Sequence, residues 1–147
     1  MDFTKEKILD FISNMGVCVL ATGANDIITA RNISVVNDGF DVYFNTDKIF
    51  TKYKQIVDNK NVAFCKDNYQ MEGVAEILGH PNDEELFTTM YKEKHMNSYK
   101  KYSHLENEVV IKVKLKNVQV WKYVGCQPYL VNYDVDKNEF KIEKYEI

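Results

Sequence analysis

The sequence predicts a mainly β fold, an antiparallel β-barrel flanked by an N-terminal helix and two further helices. Most apolar segments are too short for helices and are separated by Gly, Asn and Asp turns, which is typical of strands joined in hairpins. Residues 109–123 alternate apolar side chains with lysines, which indicates a long strand with one face in water. A barrel of this size fills its own interior with side chains. A large ligand would therefore bind outside it, in a groove or between two copies of the chain.

Length and composition indicate one soluble globular domain spanning residues 1–147. The chain is 45% hydrophobic and 28% charged, which is ordinary for such a domain. The formal net charge of −3 argues against nucleic acid as the main partner, because binding to phosphate backbones needs a basic face. No apolar run approaches the ~20 residues that span a bilayer, and the charged N-terminus has no signal-peptide core. We therefore expect a cytoplasmic protein without a membrane partner.

No metal site is predicted from the cysteines or the histidines. The cysteines are scattered, odd in number and without a CxxC pair, so we expect reduced thiols: Cys18, Cys65 and Cys126. The histidines have no ligand spacing with one another and are expected at the surface: His80, His95 and His104.

The chain begins with a predicted helix, residues 4–14, followed by two strands, residues 16–22 and 27–36. Gly16 is a natural stop for the helix, and the apolar run after it is too short for another helix. The turn at residues 37–39, Asn-Asp-Gly, closes a hairpin onto the next strand. The helix has one apolar stripe, formed by Ile8, Phe11, Ile12 and Met15.

Residues 40–59 are predicted to run from a strand straight into a helix. Thr46 and Asp47 are suitable N-caps, and Asp47 also suits the positive end of the helix dipole. A helix that starts where a strand ends points free backbone N–H groups at that end, which makes an anion site. Lys52 on the second turn can lean back toward it. The alternative is that Thr46 only caps the helix and that Lys52 is a solvated lysine. The apolar face is formed by Ile49, Tyr53, Ile56 and Val57.

The second half of the chain is predicted to be mostly strand. Residues 61–66 and 69–78 form two strands, and Gly73 inside the latter indicates a close backbone approach or a bulge. A break in the long strand is expected near residues 116–117. The last hairpin turns at residues 136–138.

One more helix is predicted before the long strand. Asn82 is its expected N-cap, Glu85 stands in the capping-box position, and the helix runs to about His95. Residues 97–107 are polar and irregular, so we expect a mobile segment there. The apolar stripe of the helix is formed by Leu86, Phe87, Met90 and Tyr91.

In the order of its segments the chain resembles the pyridoxamine 5'-phosphate oxidase-like flavoproteins, the FMN-binding split barrels. The matching segments are VLAT, ITARNISVV, VYFNTDKIFTKYKQIVDNKNVAF, QMEGVAEILG and VQVWKYVG. The resemblance covers about residues 8–125, and its specificity comes from the combination of motifs rather than from any single one. It implies a split barrel of Greek-key type that binds FMN and forms a homodimer with flavin sites at the interface.

The resemblance implies that Arg31, Thr46 and Lys52 hold the FMN phosphate. A phosphate monoester suits a guanidinium, an ammonium and a hydroxyl donor together. Arg31 is the only arginine in the chain, and its alternative role is a surface salt bridge. Thr51 stands where many relatives have a second basic residue, so it offers a hydrogen bond without a charge.

The resemblance also assigns residues to the flavin ring. Gln70 resembles a family position near the flavin, and Trp121 resembles an aromatic residue that reaches the flavin from the second subunit. The alternative for Trp121 is a core or interface aromatic. The backbone of Asn32, Ile33 and Ser34 would run along the ring, and Asn45 would lie close to it.

The chain departs from true pyridoxamine phosphate oxidases at the substrate site. Their Arg-x-His segment after the tryptophan is replaced by residues 122–127, KYVGCQ, and Val36 stands at about the place of their second-strand lysine. We therefore expect pyridoxamine phosphate to be a poor substrate.

Two functions remain open at this point. One is a flavin-dependent oxidoreductase or flavin reductase that takes electrons from a nicotinamide donor and passes them to a small acceptor. The other is a non-catalytic protein that stores or senses FMN or haem. In the first case the mouth of the site would be formed by the surroundings of Trp121 and by residues 97–107.

Overall fold

The computed structural model describes residues 3–147 and shows an antiparallel sheet that closes into a barrel. The elements in chain order are α1 (Lys5–Ser13), β1 (Val17–Ala24), β2 (Ile27–Ser34), β3 (Val36–Asp38), β4 (Asp41–Asp47), α2 (Thr51–Asp58), β5 (Asn61–Lys66), β6 (Tyr69–Ile77), α3 (Glu85–Lys94), α4 (Met96–Ser98), β7 (Glu108–Val124), β8 (Gln127–Asp134) and β9 (Glu139–Lys144). A 3₁₀ turn, Pro81–Asp83, precedes α3, and a π turn, Tyr99–Ser103, follows α4.

The two end strands of the sheet follow each other in the chain, with a single residue between them. The strand order is β2-β1-β5-β6-β7-β4-β3, so β2 and β3 lie at opposite ends of the sheet. In the chain only Val35 separates them, and its backbone N–H donates to the carbonyl oxygen of Gly16 at 2.8 Å. The single strand expected over residues 27–36 is therefore two strands. The β4–α2–β5 connection crosses the barrel end and returns beside β1, which makes the topology a Greek key and confirms the predicted fold class.

β7 is the strand that organises the sheet. It is 17 residues long and pairs with β4 along its first part, with β6 along its middle and with β8 along its last part. Its N-terminal half therefore belongs to the barrel, and its C-terminal end leaves the barrel with β8 and β9. The hairpin between β8 and β9 turns through Asn138 at φ +52°, as predicted.

The predicted irregularity at Gly73 is confirmed as a bulge. The pairing register shifts between Glu72 and Gly73, so that Lys116 is an extra residue in β7. A Cβ atom on Gly73 would lie 2.7 Å from the carbonyl oxygen of Lys114 and 2.7 Å from Cγ1 of Val113. Only glycine allows the two backbones to approach this closely. The break expected in the long strand is this bulge, and β7 continues through it.

The barrel interior is filled by apolar side chains, and α1 packs on it. Thr4 caps α1, with its Oγ1 accepting from the backbone N–H of Lys7 at 3.3 Å. Ile8 and Ile12 of α1 are fully or almost fully buried. No helix within residues 3–147 has the length and apolar character needed to cross a membrane. The largest buried side chains of this core include Phe44, Phe64, Met71, Ile111, Leu115 and Tyr133.

The predicted start of α3 is wrong. The helix begins at Glu85 with Glu84 at its N-cap, and Asn82 lies in the preceding 3₁₀ turn. That turn is capped instead by His80, whose Nδ1 accepts from the backbone N–H of Asn82 at 3.0 Å. The side chain of Glu84 makes no capping hydrogen bond, so α3 begins without the side-chain cap that the sequence predicted.

Residues 97–107, expected to be irregular, are helical as far as Ser103. Here Tyr99 packs against a second, smaller core under α3. The stretch is mostly polar, so its sequence shows no apolar stripe that would predict a helix. The small core is formed by Val36, Tyr43, Phe87, Tyr91 and Val110.

Candidate functional site

A cleft of about 480 Å³ opens beside the end of β4. Its size falls within the range of small-molecule and cofactor sites, roughly 300–1,000 Å³. It lies between the end of β2, the end of β4, the start of α2 and the helical segment after α3. Its lining residues are Asn32, Ile33, Ser34, Asn45, Thr46, Asp47, Phe50, Lys52, Tyr91, Ser98, Tyr102, Leu105 and Glu108.

The cleft brings together most of the residues that the sequence assigned to a cofactor. Three come from β2, two from β4 and one from α2: Asn32, Ile33, Ser34, Asn45, Thr46 and Lys52. Thr46 is almost fully buried at the end of β4.

The prediction that Thr46 or Asp47 caps α2 is wrong. β4 continues to Asp47, which pairs with Glu108 of β7, and α2 begins at Thr51 with Phe50 at its N-cap. The Asp47 carboxylate accepts from the backbone N–H of Ile49 at 2.9 Å, which stabilises a turn in the place of the expected helix start. The helix start is therefore displaced from the strand end, and Lys52 lies on the first turn of α2.

The predicted apolar face of α2 is also too wide. Ile49 precedes the helix and is 63% exposed, and Val57 is 48% exposed. Ile56 and the amide side chain of Gln55 are buried instead. The inward face of α2 is thus partly polar, which a hydrophobic pattern does not reveal.

Arg31 and Lys52 form a pair of neighbouring cations. Burial lowers the pKa of Lys52, and the charge of Arg31 lowers it further, while Glu108 and Asp47 act in the opposite direction. Burial also lowers the pKa of Arg31. Within residues 3–147 neither cation has a carboxylate within salt-bridge distance, so the surface ion pair considered for Arg31 is not formed. Two partly buried cations without an ion-pair partner among these residues are an arrangement that attracts an anion.

Glu108 is an acidic residue of the cleft that sequence reasoning missed. Its side chain is almost fully buried, and Oε1 accepts from Asn45 Nδ2 at 2.5 Å. Burial raises the pKa of Glu108 and so does Asp47, whereas the hydrogen bond from Asn45 and the charge of Lys52 lower it. The sequence offered one signal for this residue, because Glu108 is an acidic side chain directly before the apolar residues of the long strand.

Glu108→Gln is expected to stabilise the protein at neutral pH. A folded-state pKa above the ordinary value means that ionisation destabilises the folded state. The free energy of unfolding therefore falls as the pH rises through the interval between the ordinary pKa of Glu and the raised pKa of Glu108. Below the ordinary pKa of Glu the two proteins should unfold at the same temperature, and above the interval the variant should be more stable. Thermal unfolding across this pH range measures the difference. The exposed neighbour Glu106→Gln is the control, and an equal gain in that variant would contradict a role of the cleft.

The far wall of the cleft comes from the helical segment that the sequence did not predict. Ser98, Tyr102 and Leu105 line it, together with Tyr91 of α3. Burial raises the pKa of Tyr91, while hydrogen bonding with Ser34 and Ser98 lowers it. Residues 97–107 were expected at the mouth of the site, and three of them line the cleft. Their helical structure, which helps to form an aromatic wall of Tyr91 and Tyr102, was missed because the segment has no periodic pattern.

Four residues assigned from the sequence do not line the cleft. Arg31 is one of them, although its charge acts on Lys52, which does line it. Thr51 is exposed on another side of α2, and Gln70 is exposed on the outer face of β6. Trp121 packs edge-to-face against Tyr123 and Tyr145, where β7 has left the barrel. Their roles at a flavin stay predictions.

No group of three or more potential metal ligands is found within residues 3–147. Two histidines are engaged with the backbone: His80 Nε2 lies 2.8 Å from the carbonyl oxygen of Leu105, and His95 Nε2 lies 2.9 Å from that of Val35. All three cysteines are free thiols. Burial raises the pKa of the Cys18 thiol to about 12, which makes it unreactive.

Comparison with known proteins assigns the chain to a family. The family model described as pyridoxamine 5'-phosphate oxidase matches residues 4–122. The chain belongs to the pyridoxamine 5'-phosphate oxidase-like family. No curated protein sequence matches this family member.

Solved structures share the split-barrel fold of this pyridoxamine 5'-phosphate oxidase-like protein. General stress protein 26 from Bacillus anthracis is 25% identical with a TM-score of 0.64, over 93% of this chain and 96% of that one. A pyridoxamine 5'-phosphate oxidase-related, FMN-binding protein from Nostoc punctiforme is 14% identical with a TM-score of 0.62, over 97% and 92%. The heme storage protein HutZ from Vibrio cholerae is 15% identical with a TM-score of 0.65, over 78% and 92%.

Proposed function

We propose that this protein binds FMN, with the phosphate at Arg31 and Lys52 and the flavin ring in the cleft. The observation that carries the proposal is the pair of partly buried cations, without an ion-pair partner in the described part of the chain, beside a cofactor-sized cleft. A phosphate monoester near two negative charges would compensate both. The FMN-binding relative from Nostoc punctiforme supports the choice of ligand.

The described residues fit this cofactor. Phosphate needs charged donors, which Arg31 and Lys52 supply, and Thr46 adds a buried hydroxyl nearby. The ring needs a flat, largely apolar slot, which the cleft offers through Phe50 and the aromatic wall. Bound FMN would supply the redox chemistry, and the protein would supply binding, orientation and exclusion of water.

We further propose an oxidoreductase that takes a hydride from a nicotinamide donor and passes electrons to a small acceptor. The substrate residues of pyridoxamine phosphate oxidases are missing after Trp121 and at Val36, so oxidation of pyridoxamine phosphate is not the reaction proposed. A storage or sensing role with FMN or haem is the alternative.

The test is a titration followed by reduction. FMN should bind with its absorbance shifted, and riboflavin, which lacks the phosphate, should bind at least about a hundredfold more weakly if two charged contacts are lost. NADH or NADPH added anaerobically should bleach the bound flavin. Unbleached flavin would favour the storage role, a Soret band with haemin would favour the haem version, and equal affinity for riboflavin would remove the phosphate site.

We propose that the protein acts as a homodimer with a two-fold axis. The outer face of β1 and β6 exposes three valines: Val17 is 46% exposed, Val19 37% and Val74 39%. Gln70 lies beside this surface, so a second copy docked there would meet a residue assigned to the flavin. Light scattering at micromolar concentration should give twice the monomer mass. Val19→Glu should halve it, and a monomeric parent with FMN present would contradict the proposal.

A further inference from the structure

The guanidinium of Arg31 is held by neutral oxygen atoms from two strands. Nη1 donates to the carbonyl oxygen of Leu20 at 3.1 Å and to Oγ1 of Thr22 at 2.8 Å. Nη2 donates to Oγ1 of Thr29. None of these partners carries a charge, so they fix the orientation of Arg31 without compensating it.

Gln55 of α2 fixes the direction of these hydrogen bonds. Its Nε2 donates to the carbonyl oxygen of Ile27 at 3.2 Å, which turns Oε1 toward the two threonines. Oε1 accepts from the hydroxyls of Thr22 at 2.5 Å and Thr29 at 2.7 Å. Each hydroxyl has one hydrogen, and it is used on Gln55. The oxygen lone pairs are therefore left to accept from Arg31.

The acceptors on Leu20, Thr22 and Thr29 form a clamp that leaves one edge of the guanidinium free. Oγ1 of Thr22 and Oγ1 of Thr29 lie 3.4 Å apart, so they take one N–H from each terminal nitrogen, and Leu20 takes the second N–H of Nη1. The Nε–H and the second Nη2–H remain, and these two point the same way along one side of the planar group. Neither has an acceptor within residues 3–147. Nε, which makes no hydrogen bond there, is not buried, since Ser103 Oγ is the only buried side-chain atom of these residues without a partner.

We propose that Thr22, Thr29 and Gln55 are positioning residues. They turn the free edge of Arg31, which carries the Nε–H and the second Nη2–H, toward the phosphate of the bound cofactor. The two free N–H groups then form a two-pronged contact with two phosphate oxygens, which a lysine at this position cannot make. The inference rests on the proposed FMN site and assigns its phosphate selectivity to three residues that do not themselves touch the ligand.

The test compares Thr29→Val with Thr29→Ser. Valine has the shape of threonine and suits a strand, but it removes the oxygen that accepts from Arg31, whereas serine keeps it. Thr29→Val should weaken FMN binding about tenfold and leave riboflavin binding unchanged, and Thr29→Ser should bind FMN like the parent. Gln55→Glu is a second variant, because a carboxylate beside Arg31 should also weaken FMN selectively.

A double-mutant cycle separates positioning from general structure. In the Arg31→Ala background, Thr29→Val should have no further effect on FMN affinity, because its role acts through Arg31. Equal weakening of FMN and riboflavin, or an undiminished effect without Arg31, would overturn the inference and leave the FMN site standing. Unchanged FMN affinity in Arg31→Ala alone would overturn the proposed phosphate site itself.

Discussion

Replacing Arg31 and Lys52 together by alanine is expected to weaken FMN binding by about a thousandfold. Each charged contact contributes roughly 1.5–3 kcal/mol, so each single variant should lose about ten- to a hundredfold. Both side chains are partly buried and lack an ion-pair partner within residues 3–147, so their donors are free to bind the phosphate. Fluorescence titration with FMN measures the change.

The matched control is Lys54→Ala on the same helix. Lys54 is exposed and does not line the cleft, so its removal changes the net charge as much as either single variant does, without touching the proposed site. Riboflavin affinity should be nearly the same in all variants, since it has no phosphate. An Arg31/Lys52 variant that binds FMN like the Lys54 control would show that the phosphate lies elsewhere.

Gly73→Ala is expected to cost about 2–4 kcal/mol of the free energy of unfolding. The added methyl would lie 2.7 Å from the Lys114 carbonyl oxygen, which is backbone in the middle of the sheet and cannot move alone. β6 and β7 would have to separate at the bulge, loosening the strand that joins the barrel to the last hairpin. Urea unfolding of the purified proteins measures the difference.

Gly79→Ala provides the comparison for this variant. A Cβ atom there would meet its nearest neighbour, Glu84 Oε1, at 3.4 Å, an ordinary contact, so only a small change is expected. If Gly73→Ala unfolded at the same urea concentration as Gly79→Ala, the close approach of β6 and β7 would not be limiting.

The strands could be predicted from the sequence because each carries its own pattern. The alternation in β7 and the Asn-Asp-Gly turn before β4 are local signals, and they were sufficient for the fold class. The start of α2 was not predictable in this way. Thr46 and Asp47 have good capping chemistry, but pairing with β7 keeps them in β4, and that partner lies far away in sequence.

The candidate site was predictable only where chemistry and resemblance agreed. Arg31 and Lys52 stand out as cations in a recognisable order of segments. Glu108 and Tyr91 reach the same cleft from other elements, and nothing near them in sequence indicates that they meet. The clamp on Arg31 is of the same kind, since Gln55 looks like a solvent-facing helical residue until α2 is packed on β1 and β2.

The late position of β7 has a consequence for how the chain emerges from a ribosome. β4 and β6 both find their partner in residues 108–124, so their edges stay unpaired until that segment has been synthesised. Contacts between distant segments slow folding, and open apolar strand edges invite association between nascent chains. We expect folding to wait for β7 and then to proceed as one step. Chaperone demand in the cell should therefore be greatest for chains stalled just before residue 108.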